Sequence, residues 1–159
     1  MPRADISSVP PTIFTPAPLI RHMCNLCEPS LSDPKHKVFE PGCGTGNFLV
    51  EILERRLQEL TNPHLALISL SNLYGVDIVS EYLTTARNRL RGTMLKHFSA
   101  PNDYRFLSLI DLFLEHNLIR ADLLKERENI TFVDWRPISD FNFQPTTVQL
   151  SELLEVTNA

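Results

Sequence analysis

Glycine is scarce in this chain. Its 159 residues include only five, and three of those, Gly42, Gly44 and Gly46, fall within one pentapeptide. So tight a concentration marks one place where the backbone needs freedom that side chains deny it. Long apolar runs are also missing: no stretch of about eighteen apolar residues occurs, so no membrane span is expected. The N-terminus lacks a basic-then-apolar pattern with a cleavage site, which argues against a secretory leader. Cysteine is rare and odd in number, at three, which fits no disulfide framework and points to a reducing cytoplasm. Positive charge is short as well. With 15 Lys and Arg against 19 Asp and Glu, the net charge is −4. Bulk electrostatics alone would not hold such a protein on nucleic acid, although a local basic patch remains open. There are no internal repeats.

Proline runs the other way, with twelve residues, five of them among the first eighteen. Residues 1–14 are polar and proline-rich and read as an extended arm. The remainder, 15–159, has the length and the apolar content of one domain with its own core. Thr15-Pro16 reads as a helix start, with threonine as N-cap and proline in the first position. Leu19, Ile20, Met23, Leu26 and Cys27 then keep one apolar face.

Val38-Phe39-Glu40 is a short strand that runs directly into Pro41-Gly42-Cys43-Gly44-Thr45-Gly46-Asn47. An amphipathic helix follows, with Phe48, Leu49, Ile52, Leu53, Leu57 and Leu60 on one side, and Asn62-Pro63 ends it. Leu73 to Ile78 forms a second strand that finishes on Asp77, and Val79 to Leu90 has helical spacing. A third helix is expected from Asn102 to His116, and a third strand from Asn117 to Ala121, capped by Asp122. Ile130 to Trp135 and Phe141 to Phe143 resemble the arms of a hairpin, and Ser151 to Val156 closes the chain as a helical turn.

Strand, glycine turn and helix together make a site for something that must approach the backbone closely. The glycines remove Cβ atoms, and the helix start offers unpaired N–H groups. Asp77, about thirty residues after the last glycine, adds a carboxylate suited to a ribose diol. The βαβ arrangement brings both features to one edge of a parallel sheet. The spacing then narrows the ligand. Nicotinamide folds prefer G-x-G-x-x-G, whereas the third glycine here comes one residue early. Glu40, just before the turn, would repel a pyrophosphate but suits the ammonium group of an amino acid. No Walker-type lysine follows the loop, which disfavours a nucleoside triphosphate. A ligand with both a ribose and a cationic amine is required, and S-adenosylmethionine meets both demands. The plainer alternative makes the glycines a tight turn, Glu40 a solvated strand end and Asp77 a helix cap, but it leaves their coincidence unexplained.

Phe39-Glu40-Pro41-Gly42-Cys43-Gly44-Thr45-Gly46-Asn47-Phe48-Leu49-Val50 resembles the cofactor-binding motif of the adenine-N6 DNA methyltransferases of bacterial restriction-modification systems. Glu40 stands where that family has aspartate, and Gly42 where it has alanine. Phe14-Thr15-Pro16 and the residues up to Met23 are similar to the Thr-Pro segment that closes over the cofactor's methionine end. Leu73 to Ile78, with Ala86-Arg87-Asn88-Arg89-Leu90, is similar to the second motif. The resemblance implies a Rossmann-like α/β methyltransferase fold with S-adenosylmethionine as cofactor and DNA as partner. It also implies that Asp77 holds the ribose hydroxyls and that Ile78 packs on the adenine. Asn117 to Leu124 looks like the third motif, whose acid, here Asp122, accepts from the adenine amine. Asp134, in the segment after it, is a rival for that role.

One part of the family pattern is missing. The Asn/Asp-Pro-Pro-Tyr/Phe segment that receives the target amine does not occur, and the only Pro-Pro, Pro10-Pro11, has no strand before it. No catalytic residue is assigned. The reading is therefore a cofactor-binding domain with an incomplete parallel sheet flanked by helices, the catalytic strand and the target-reading region being missing or on another chain. The first strand would then lack a neighbour on one side. The tail beyond Phe143, a second chain or a homodimer is expected to cover that edge. A non-catalytic interaction module, or a methyltransferase acting on RNA or protein, are the alternatives.

Four further features have a plain structural reading. Cys24-x-x-Cys27, with His22 and His36 nearby, lacks the second ligand pair of a zinc site and reads as core packing. Cys43 reads as a space-filling residue rather than a nucleophile. Arg87, Arg89, Arg91 and Lys96 suit either a solvated helix face or a DNA backbone. Phe132 and Trp135 suit either hairpin packing or stacking on a base.

Overall fold

A computed structural model describes residues 12–99 and 103–155 of the chain. Pro10, Pro11, Asn102 and Val156 lie outside the described residues. The first helix, α1 (Ala17–Leu26), begins later than the Thr15-Pro16 pattern suggests, because Pro16 itself, extended at φ −62° and ψ 144°, is the N-cap. Thr15 precedes a proline and so is held away from the helical region. The Pro16 carbonyl accepts from the N–H groups of Leu19 and Ile20, at 3.0 and 3.1 Å. Only Ile20 and Cys24 are buried on α1; Leu19, Met23, Leu26 and Cys27 are exposed, so the expected apolar face is half as wide.

Strand β1 (Val38–Pro41) leads through the glycine turn into α2 (Asn47–Leu57). Here the sequence reading missed an element. Helix α2 already ends at Leu57, and Asn62-Pro63 instead starts another, α3 (Pro63–Ser71), with Asn62 Oδ1 accepting from the His64 N–H at 2.8 Å. Residues Ala66 to Ser71 are all buried, so this helix has no polar face and no 3.6-residue rhythm to reveal it. Strand β2 (Leu73–Asp77), α4 (Ser80–His97), α5 (Tyr104–Asn117) and β3 (Leu118–Arg120) follow, close to expectation. A one-turn helix, α6 (Leu123–Glu126), comes next. The hairpin of β4 (Thr131–Ser139) and β5 (Asn142–Gln149) is longer than expected, and α7 (Leu150–Glu155) ends the described chain.

The protein is α/β, with a three-stranded parallel sheet in the order β1-β2-β3 and helices packed against it. Side chains alternate across the sheet. Leu73 and Leu118 face the larger core, which they share with Leu49, Leu53, Leu83, Leu90 and Phe106 of the helices. Tyr74 and Val76 face a second core with Phe132, Leu150 and Leu153. The β4–β5 hairpin and α7 thus cover the sheet face that those helices leave bare. Phe132 meets Tyr74 and Phe39 edge-on, with ring centroids 5.4 and 5.9 Å apart. Trp135 is 6% exposed, and its Nε1–H donates to Asn117 Oδ1 at 2.9 Å. Both aromatic residues are committed to packing, not to a base.

The tail after Phe143 corrects one expectation. It does not pair with the outer edge of β1: β5 pairs with β4 in a two-stranded sheet of their own. Among the described residues no strand occupies that edge, and the tail lies over the sheet face instead. No helix among the described residues is long and apolar enough to cross a membrane.

Candidate functional site

All parallel strands deliver their C-terminal ends to one edge, and the glycine turn lies there. Cys43 N–H donates to the Val76 carbonyl at 2.8 Å, which ties the turn to the end of β2. Gly42, Gly44 and Gly46 all have positive φ, at 65°, 53° and 83°. Gly46 has a second constraint: a Cβ there would stand 3.0 Å from Ala86 Cβ, so α4 packs directly on the loop. Gly46 is also the N-cap of α2.

Asp77 and the loop are joined by a direct bond. Gly44 N–H donates to Asp77 Oδ2 at 2.9 Å, and Val79 N–H donates to Oδ1 at 2.9 Å. The carboxylate is therefore preoriented by backbone donors, and each oxygen retains an acceptor position. Glu40, half-buried at the end of β1, has its carboxyl pushed up to about 7 by burial. The Cys43 thiol lies near both acids and is pushed up to about 12, first by burial and then by Asp77 and Glu40. Cys43 thus fills space behind the loop and is no nucleophile at neutral pH. Two carboxylates with a shared preference for a positive ligand stand at this edge.

The Thr-Pro segment lies close by. The Phe14 ring rests against Gly44, 3.3 Å from where a Cβ would be, and meets Tyr82 edge-on at 5.5 Å. Tyr82 Oη in turn pairs with Thr12 Oγ1 at 3.1 Å. The end of the arm is therefore laid against the glycine loop, with half-buried Thr15 and exposed Pro16 directly after it. Asn47 opens α2 at the loop's exit, and Phe48 packs against the larger core.

On the other side of Asp77 is a cavity of about 370 Å³ lined by Ile78, Arg120, Ala121, Asp122 and Glu126. Ile78 is 45% exposed there, an apolar side chain without a full partner. Asp122 is the N-cap of α6: its Oδ1 accepts from Leu124 N–H at 3.1 Å and from Lys125 N–H at 3.3 Å. Glu126 Oε2 accepts from Asp122 N–H at 2.7 Å, so the start of α6 is bonded in both directions. Asp134 is elsewhere. It pairs with Lys37 Nζ at 2.9 Å, and Lys37 precedes β1, so the pair sits at the strand starts, away from the glycine loop.

The basic residues of α4 all have partners within the chain, while Arg89 and Lys96 remain exposed. Arg87 donates to the Leu114 carbonyl at 3.2 Å and to that of Leu118. Arg89 Nη1 donates to the Thr45 carbonyl at 2.8 Å and to Asn47 Oδ1 at 2.6 Å, clasping the glycine loop from outside. Arg91 pairs with Asp111 at 2.8 Å, and Lys96 with Glu54 at 3.5 Å. Sequence reasoning missed Arg89 as a loop support and Arg120 and Glu126 as cavity walls. The signal for the last two was adjacency, since they flank the expected Asp122. Arg89 bonds across 44 positions to Thr45, a separation that no local pattern reveals.

No family model, no curated protein and no solved structure matches this chain.

Proposed function

We propose that this chain binds S-adenosylmethionine as the cofactor domain of an adenine-N6 DNA methyltransferase. The observation that carries the proposal is the bond from Gly44 N–H to Asp77 Oδ2, which makes the glycine loop and the ribose-type acid one unit at the sheet's C-terminal edge. Two flanks support the same reading. Glu40, on one side, offers a carboxylate for the ligand's α-amino group, whose arrival supplies the positive charge that this buried group lacks. The cavity under Ile78, on the other, offers an apolar wall for the adenine and carboxylates for its amine. The Phe14 contact places the start of the Thr-Pro segment against the loop.

Binding and catalysis are separate claims. With no Asn/Asp-Pro-Pro-aromatic segment among these 159 residues, transfer to a flipped adenine requires a strand that they do not supply. The open outer edge of β1 is where we place it. A panel of ligands tests the binding claim. S-adenosylmethionine and S-adenosylhomocysteine should each raise the unfolding temperature, while NAD and ATP should leave it unchanged. A shift with NAD or ATP and none with the two sulfur ligands would overturn the proposal.

A further inference from the structure

The cavity beside Asp77 contains one group that the cofactor reading does not yet use. Arg120 is the last residue of β3 and is the direct cross-strand partner of Asp77 on β2. Its Nε–H donates to the Ile78 carbonyl at 3.1 Å, which anchors the base of the guanidinium beside the cavity. The main chain binds the same two strand ends together, since Ala121 N–H donates to the Asp77 carbonyl at 3.1 Å. Arg120 and Ile78 therefore line one cavity of about 370 Å³ as a planar cation and a branched apolar side chain, with the acids Asp122 and Glu126 beside them.

That combination is chemically particular. A guanidinium plane attracts the electron-rich face of an aromatic ring, and an isoleucine supplies an apolar surface. Carboxylates at the rim accept from an exocyclic amine. A carbonyl in place of the amine would face them oxygen to oxygen. A simple ion pair does not account for Arg120, because none of the salt bridges within 4.0 Å among the described residues involves it. We infer that Arg120 is a specificity-determining residue of the nucleoside end of the site, stacking its guanidinium on a purine that Ile78 also contacts. The inference rests on the proposed cofactor reading and adds to it a residue to which the third-motif resemblance gives no role.

The test is a calorimetric titration of the whole chain with S-adenosylhomocysteine, using wild type, Arg120→Ala and Arg120→Tyr. Both variants lose the guanidinium bond to the Ile78 carbonyl, and the tyrosine restores a flat ring where alanine leaves none. Arg120→Ala should weaken binding about three- to thirtyfold, and Arg120→Tyr should recover most of that loss. Unchanged affinity in Arg120→Ala would overturn the inference. Equal weakening in both variants would also overturn it, leaving Arg120 as a fastener of the Ile78 backbone. A wild-type chain that binds no S-adenosylhomocysteine would overturn the cofactor reading first, and the inference with it.

Discussion

Glu40 gives the account a quantitative handle. Burial holds its carboxyl up to about 7, against 4.5 for the free side chain, and no cation among the described residues offsets that. A bound α-ammonium would pull the value down, because an opposite charge favours the ionised form. Ligand binding below pH 7 must therefore expel a proton. The ionised fraction of Glu40 in the free protein is about 3% at pH 5.5 and about half at pH 7. The affinity for S-adenosylmethionine should rise about fifteenfold over that range, and the ligand's own amine stays charged throughout it. Titrations at pH 5.5 in two buffers of different ionisation enthalpy should reveal release of almost one proton per ligand. Glu40→Gln should remove both the slope and the proton. The same burial has a consequence without ligand: the folded state holds the proton up to about pH 7 while the unfolded chain releases it near 4.5. Glu40 therefore lowers stability progressively as pH rises through that window, and Glu40→Gln should flatten the dependence. A wild-type affinity that is flat from pH 5.5 to 7, or a slope that survives in Glu40→Gln, would refute the reasoning.

Gly46→Ala should lose about 1–3 kcal/mol in urea unfolding, since its φ of 83° disfavours any Cβ and Ala86 lies 3.0 Å from the new atom. Equal stability would show that α4 can yield. Thiol labelling of the native protein should modify one cysteine rapidly, the exposed Cys27, while buried Cys24 and Cys43 react only on unfolding. Fast labelling of Cys43 would contradict the packing given to the loop. Trp135→Phe should cost about 1–3 kcal/mol, because it strips the buried Asn117 Oδ1 of its donor. A neutral result in denaturant titration would mean that Asn117 finds another partner.

Much of the site was legible because glycine is rare. Three glycines between a strand and an amphipathic helix, then Asp77 at the end of the next strand, define the edge of a βαβ unit from spacing alone. The bond between Gly44 and Asp77 is the structural form of that spacing. What escaped notice was information the sequence does not carry locally. Helix α3 is buried from Ala66 to Ser71 and opens with Asn62-Pro63, a pair that reads as the end of α2 but caps the next helix. The hairpin outran expectation because its outer half, including Gln144, Thr146 and Thr147, is exposed and polar. Asp134 competed with Asp122 only until Lys37, almost a hundred residues away in sequence, claimed it at the far end of the sheet. Arg87 and Arg89 looked like a charged face, yet their partners are distant backbone carbonyls.

The most direct measurement is a calorimetric titration of the purified chain with S-adenosylmethionine at pH 7.5, alongside Asp77→Ala. The account predicts one site per chain, with binding weakened at least tenfold by loss of the carboxylate that joins loop and ribose. No heat of binding in the wild type, or equal affinity in Asp77→Ala, would contradict it.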